Sequence, residues 1–276
     1  MEQPILLPVE NSFYGIYYKF QWPCQNGSDK VVAVIASDKA LQIMWDGKVY
    51  ISEYSEAVRC DFDSGKLDFQ VKDGSFTASA EIRLLHKAPL SYDIMGPFQW
   101  VPCMQCRHRI YSMESYALGK MTIMKEAYIL SEARVYVEGD RGRSFPERYM
   151  WTHCFFPGGS FMLAVADVKA LGRHFTGTIG IIQQEEHQLR IATYLGAKVR
   201  VGGPGTVLIS QGKYRLTVHV DPSRSRSFQL LAPSDGKMTR TIKECLSGKV
   251  ACILEKGQNI LLDFTVENGS FEWLRL

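Results

Sequence analysis

The chain has 276 residues, with 32 Lys+Arg against 29 Asp+Glu, a net charge of +3. That near-balance excludes the clustered basic excess of a typical nucleic-acid binder, and a hydrophobic fraction of 46% excludes a disordered chain. Mean hydropathy is −0.12, and no apolar run approaches the roughly 18 residues of a membrane-spanning helix.

Met1–Pro8 carries no basic start, no long apolar stretch and no small-residue cleavage site, so no signal peptide is expected. The seven cysteines are odd in number, which points to reduced thiols and a cytoplasmic setting. The Asn-Gly-Ser tripeptides at Asn26 and Asn268 are then read as turns.

From residue 31 onward the chain is a succession of short apolar or alternating runs. Val31–Ala36 and Leu41–Trp45 are followed by Asp46-Gly47 and Lys48–Ser52, a hairpin signature. Ala57–Asp63, Lys66–Val71 and Ser75–Leu85 continue the pattern, with Ser64-Gly65 and Asp73-Gly74 as turns. Phe76, Ala78, Ala80, Ile82 and Leu84 share one face, the period of two of a half-buried strand. In the second half, strands are predicted near 149–156, 160–168, 174–183, 188–195, 197–201, 205–210, 213–220, 226–231, 249–255 and 260–266. Only Gly236–Leu246 reads as helical, through Ile242 and Leu246. The expected fold class is all-β: two antiparallel lipocalin-like barrels or sandwiches in tandem, with at most one or two short helices. The division is expected within 110–132, giving units of 1–125 and 126–276 that share an extensive interface.

Several chemistries lack their motifs. No Gly-x-Ser-x-Gly or His-Glu-x-x-His occurs, and Gly202-Gly203-Pro204-Gly205 precedes no helix, so it reads as a turn. Cys103, Cys106 and His108 have the spacing of zinc ligands, but residues three apart on a strand face opposite sides, so no metal is expected there.

Two segments stand apart from a generic β protein. One is Tyr92-Asp93-Ile94-Met95-Gly96-Pro97-Phe98-Gln99-Trp100-Val101-Pro102, continuing through Met104, Cys106 and His108. The other is Tyr136-Val137-Glu138-Gly139-Asp140-Arg141-Gly142-Arg143-Ser144-Phe145-Pro146, continuing to Trp151-Thr152-His153-Cys154. Together they resemble the paired signatures of the tocopherol cyclase-like family, "GPF-WVP-M-C-H" and "YxExDxGxSFPxxYxW". Phe175-Thr176-Gly177 and Tyr194-Leu195-Gly196-Ala197-Lys198 are similar too, so the likeness covers essentially the whole chain. It departs at Thr152-His153-Cys154, where a Gln-Cys-Asn-like triplet is expected.

The resemblance implies a tandem lipocalin-like fold and an intramolecular cyclisation without a cofactor. An alkene on a prenyl tail is protonated, and a phenol oxygen closes the ring. The implied partner is a hydrophobic small molecule such as a prenyl quinol, a terpenoid or a lipid-like compound.

Strand alternation puts Arg134, Tyr136, Glu138 and Asp140 on one face and Val135 and Val137 on the other. A carboxyl in an apolar cavity keeps its proton, because desolvation disfavours the anion, and serves as a general acid. The candidate catalytic residues are therefore Asp140, Glu138, His108, His153 and Asp93, with a histidine accepting the phenol proton. The candidate ligand-binding residues are Trp100, Tyr136, Trp151, Phe98 and Arg143, the aromatic faces answering a developing carbocation. Against this stands a structural reading, in which Glu138 and Asp140 pair with Arg141, Arg143 or Arg107, while Gly139 and Gly142 form a bulge or tight bend. Two further functions remain open, a non-catalytic lipocalin-like carrier of an apolar ligand and an interaction module with filled barrels.

Overall fold

Alternating runs separated by turn residues give nineteen strands in the computed structural model, which describes residues 12–24, 29–37, 40–53, 58–61, 65–102, 104–170, 173–223 and 225–276. The first nine are β1 (Phe13–Pro23), β2 (Asp29–Ser37), β3 (Ala40–Trp45), β4 (Lys48–Glu53), β5 (Val58–Asp61), β6 (Lys66–Asp73), β7 (Phe76–Leu85), β8 (Cys106–Ile123) and β9 (Glu126–Gly142). They form one antiparallel sheet in the order β4-β3-β2-β1-β9-β8-β7-β6-β5. The others are β10 (Tyr149–Phe156), β11 (Gly159–Ala170), β12 (Arg173–Gln184), β13 (His187–Ala192), β14 (Lys198–Gly203), β15 (Thr206–Gln211), β16 (Tyr214–Val220), β17 (Phe228–Ser234), β18 (Lys237–Lys256) and β19 (Asn259–Leu274). They form a second sheet in the order β13-β12-β11-β10-β19-β18-β16-β15-β14, with β17 paired to β18. Two one-turn 3-10 helices, Gly96–Trp100 and Thr193–Leu195, are the only helices among the described residues. No helix there is long and apolar enough to cross a membrane.

The expected Asp46-Gly47 turn is present, with φ of 45° and 75°, the mirror-image turn that matches strand twist. The helix expected over Gly236–Leu246 is absent, because that segment opens the long strand β18. Ile242 and Leu246 are an even number apart, so they share a strand face as readily as a helix face. Both are buried between the sheets. Asn268 is not a turn but lies within β19, whereas Asn26 falls outside the described residues. Residues 124–125, where the division was expected, form the tight turn of the β8–β9 hairpin. The first sheet continues to Gly142 and the second begins at Tyr149.

Three apolar layers follow from this. Tyr18, Phe20, Leu67, Ile82, Val135 and Val137 fill one face of the first sheet. Met150, Phe156, Phe161, Val218 and Cys252 fill one face of the second. Tyr17, Met44, Met113, Tyr136, Trp151 and Met162 fill the space between the sheets. Strand β10 shows the consequence most clearly. All eight of its residues are buried, since Met150, Cys154 and Phe156 face one layer while Tyr149, Trp151 and Phe155 face the other. A strand covered on both faces loses its alternation.

Polar links cross the same layer. Gln42, 1% exposed, donates from Nε2 to the Leu231 carbonyl at 2.9 Å and accepts from the Leu231 N–H at 2.8 Å. Replacing it by Ala strands both backbone groups in an apolar layer, at a cost of about 1–3 kcal/mol. Urea unfolding of Gln42→Ala should show a lower midpoint at unchanged m-value. An unshifted midpoint would mean that water replaces the amide.

Candidate functional site

Along β1 the inter-sheet face carries Gly15, Tyr17 and Lys19, and along β9 it carries Tyr136, Glu138 and Asp140. Opposite them, β11 and β12 present Ala164, Ala166 and Gly177, where Ala166 pairs with both Tyr149 and Gly177. Small side chains on facing strands cannot close the gap, and a cavity of about 200 Å³ remains. Its wall is mainly apolar, with Phe13, Ile35, Met95, Phe98, Phe145 and Leu230 among its residues. Into it also face His108, Glu138, Asp140, Glu244 and Glu272, together with Tyr17, Tyr149 and Trp151.

The β8–β9 register sets His108 opposite Asp140. His108 Nδ1 lies 3.0 Å from Asp140 Oδ1, and Nε2 lies 3.2 Å from Glu138 Oε2. The second contact is out of line for a hydrogen bond, so it acts through charge. Burial opposes a charged ring, yet the charges of Glu138 and Asp140 outweigh it and hold His108 up at about 10. Glu138 also accepts from Tyr136 Oη at 2.5 Å and from Trp151 Nε1 at 3.0 Å. Asp140 accepts from the Cys106 thiol at 3.4 Å. Ligand atoms of His108, Glu138 and Asp140 all lie within 4.8 Å of one another. A cation bound there would have to displace a ring proton that already serves a carboxylate.

A second carboxyl pair lies on the other sheet, where Glu244 of β18 and Glu272 of β19 are cross-strand partners. Tyr17 donates to Glu244 at 2.7 Å and Tyr149 donates to Glu272. Burial, assisted by neighbouring negative charge, raises both carboxyls, Glu272 to about 8.

The expected residues divide accordingly. Asp140, Glu138, His108, Trp151 and Phe98 meet at the cavity. Tyr136 stands behind it, stacked on His153 at 3.7 Å between ring centroids. His153 is itself fully buried off the cavity wall. Burial pushes its ring well below the ordinary value, assisted by the positive charges of Lys19 and Arg134. Asp93 accepts the Met95 N–H at 2.8 Å and fixes the segment before the 3-10 helix. Trp100 is 75% exposed, and Arg143 reaches outward to Asp235 at 3.6 Å. Neither lines the cavity.

The alternative arginine network does not form as expected. Arg107 donates to the Gln99 and Val101 carbonyls, and the carboxylates are matched by His108 instead. The bulges of the β8–β9 pair lie elsewhere, the nearest between Ile110 and Ser112. Gly142 serves close approach, since a Cβ there would meet the Gln105 carbonyl oxygen at 2.1 Å. Cys103 falls outside the described residues.

The signature segments co-occur for packing reasons. Gly96 has φ of 51°, and a Cβ on it would meet the Tyr194 ring at 2.6 Å. Phe98 then packs edge-on against Tyr194 and tilted against Phe175, at 5.8 and 6.2 Å. The Ser144-Phe145-Pro146 link joins the two sheets, held by Arg240 through the Phe145 and Pro146 carbonyls, each at 2.9 Å.

Sequence reasoning missed Glu244, Glu272, Tyr17 and Tyr149. Glu244 lay in the segment read as helical, and Glu272 lay beyond the last predicted strand. The one signal was a lone acid inside an apolar stretch, as in Phe271-Glu272-Trp273.

No family model and no curated protein matches the chain. Several solved structures are similar in fold, including the following two. One, from Nitrosomonas europaea, is described as an AttH candidate (NE1406). It is 10% identical, with 100% of this chain and 97% of that one covered and a TM-score of 0.52. The other is CghA, 9% identical, with 96% and 88% covered and a TM-score of 0.56. At these identities the likeness is one of fold.

The ion triad makes stability depend on pH. The folded state holds the His108 proton up to about 10, whereas the ordinary value is 6.5. Its contribution is thus complete below about 6.5 and lost as pH rises through about 10. His108→Gln should cost about 3 kcal/mol below pH ~6.5, because two buried carboxylates lose their counter-charge. The gap to the wild type should narrow toward alkaline pH, at no more than about 1.4 kcal/mol per pH unit. Lys19, which burial lowers to about 8, titrates in both proteins and drops out of the difference. Urea midpoints across pH read this, and a constant gap would rule the charged ring out.

Proposed function

We propose that the chain is a cofactor-independent cyclase or isomerase of the tocopherol cyclase type, acting on a prenylated or otherwise hydrophobic small molecule. The observation that carries this reading is the apolar cavity between the sheets, with buried ionisable groups in its wall. An apolar site strengthens every charge interaction within it and excludes the water that would intercept a carbocation.

On this reading His108, Glu138 and Asp140 form the polar end that receives the substrate hydroxyl. Both ring nitrogens of His108 face carboxylates and the ring is charged at neutral pH, so Asp140, not His108, accepts that hydrogen bond. Trp151 and Tyr17, packed edge to face at 5.5 Å, offer ring faces to the positive charge that develops as the ring closes. A volume of about 200 Å³ is small beside the roughly 300–1,000 Å³ of common ligand sites. The reading therefore favours a compact substrate, one ring and a short prenyl unit, with any longer tail leaving through the cavity mouth. The carrier alternative needs only the cavity and makes no use of the buried carboxyls.

The test is incubation with short-chain prenylated phenols and quinols, scored by chromatography for products of unchanged mass. Trp151→Leu should lower kcat about tenfold, the value of one cation–π contact of about 1.4 kcal/mol. Ala166→Leu should fill the cavity, reducing kcat/KM at least about tenfold with no loss of Tm, since it adds apolar volume to an open space. Absence of turnover across the panel, with a copurifying lipid that Asp140→Asn and Glu138→Gln still bind, would establish the carrier instead.

A further inference from the structure

We propose that the proton delivered to the substrate comes from Glu272, on the sheet opposite the motif carboxylates, with Tyr149 and Glu244 as its positioning residues. The proposal rests on the cyclase reading and names the acid that this reading requires.

Geometry separates the two carboxyl groups of the cavity. Glu138 and Asp140 share an imidazolium, whose positive charge matches theirs, and the proton of that cluster lies between two anions. Among the described residues no ion pair reaches Glu244 or Glu272. Burial raises each carboxyl more than the positive charge acting on it, Lys19 on Glu244 and Arg240 on Glu272, lowers it, and the charges of Glu138 and Asp140 push Glu272 upward. As cross-strand partners on one face, Glu244 and Glu272 would each meet the other's charge on ionising. Each accepts a phenol hydrogen bond on one oxygen, Glu244 from Tyr17 and Glu272 from Tyr149, which fixes its orientation. Both line the cavity. Burial keeps Glu272 in its acid form at neutral pH, up to about 8, while Glu244 is held well above the carboxylate range. Of the two, Glu244 is closed off at 1% exposed, whereas Glu272 is only half-buried, so Glu272 is the one that a substrate in the cavity reaches.

The step balances without a further reactant. The O–H bond of Glu272 breaks, and the alkene π pair forms a C–H bond at the less substituted carbon. The positive charge on the neighbouring carbon faces Trp151 and Tyr17. A lone pair of the substrate phenol oxygen forms the C–O bond, and its proton passes to Asp140, which holds that hydroxyl. Once the product leaves, Asp140 gives the proton to water at the cavity mouth, and the Glu272 carboxylate regains one from the same water. Tyr149 stabilises that carboxylate by hydrogen bonding while it is charged, and the product has the mass of the substrate.

The experiment compares Glu272→Gln, Glu138→Gln and Tyr149→Phe on a substrate that the wild type turns over. Glu272→Gln should lower kcat about 100-fold or more, the range of a lost general acid, with KM within about twofold. The wild-type kcat should fall as pH rises through about 8. Tyr149→Phe removes a hydrogen bond that favours the carboxylate and should move that limb to higher pH. Infrared titration should show a protonated-carboxyl band lost through about the same pH and missing from Glu272→Gln, a readout independent of turnover. Glu272→Gln with wild-type kcat, while Glu138→Gln abolishes it, overturns the assignment and leaves the cyclase reading standing. A wild type with its carboxyl band intact but no turnover on any substrate overturns the reading itself.

Discussion

Burial of both faces of β1, β9 and β10 is the constraint on which the rest depends. Each sheet has an apolar face of its own, and the opposite faces must also leave water. They do so against each other, so the layer between the sheets becomes a third core. Removing a Leu, Ile, Phe or Met side chain from water contributes about 1.5–3 kcal/mol, and this layer contains Met44, Ile110, Met113, Phe155, Met162 and Ile181 among others. It therefore tolerates polar groups that a thinner interface would expel.

Those polar groups sort by charge along the layer. Lys19 and Arg134 lie at one end, Lys19 donating to the Asn268 carbonyl and Arg134 to Glu114 and the Gly159 carbonyl. The carboxyls gather around the cavity, with Glu244 still within reach of the Lys19 charge. Lys19 and His153 share the cationic end, and the positive charge there adds to burial in keeping His153 neutral. At the acidic end each carboxyl is held by an aromatic donor or by His108. The alternating faces of β1 and β9 supply both ends, since Tyr17 and Lys19 are two residues apart on one strand and Tyr136, Glu138 and Asp140 are successive same-face residues on the other. The cavity exists because Gly15, Ala164, Ala166 and Gly177 leave a gap that neither sheet closes alone.

Much of the fold was legible, and for a local reason. Turn residues and period-two alternation are properties of neighbouring residues, so the hairpins from Val31 to Leu85 and from Tyr149 to Val220 follow the expected runs closely. Three strands were harder to read. β1 escaped notice because a doubly covered strand lacks alternation, β8 escaped notice although its second half alternates, and β18 was partly read as helix because Ile242 and Leu246 fit either period. In the site, the face shared by Tyr136, Glu138 and Asp140 was legible from spacing, and His108 came with its motif. Trp100 and Arg143, drawn from the same motifs, lie outside the cavity.

By itself the sequence determined the all-β class, the hairpin turns and one wall of the site, since each is set by residues adjacent in the chain or two apart on one strand. Only the tertiary structure decided that the cavity lies between the sheets rather than within either. It also brought Glu244 and Glu272 opposite His108, more than a hundred residues away in sequence. The state of a buried acid depends on what surrounds it, and here that environment is assembled from strands of both sheets. Desolvation and charge act through space, so no local pattern in the chain records them.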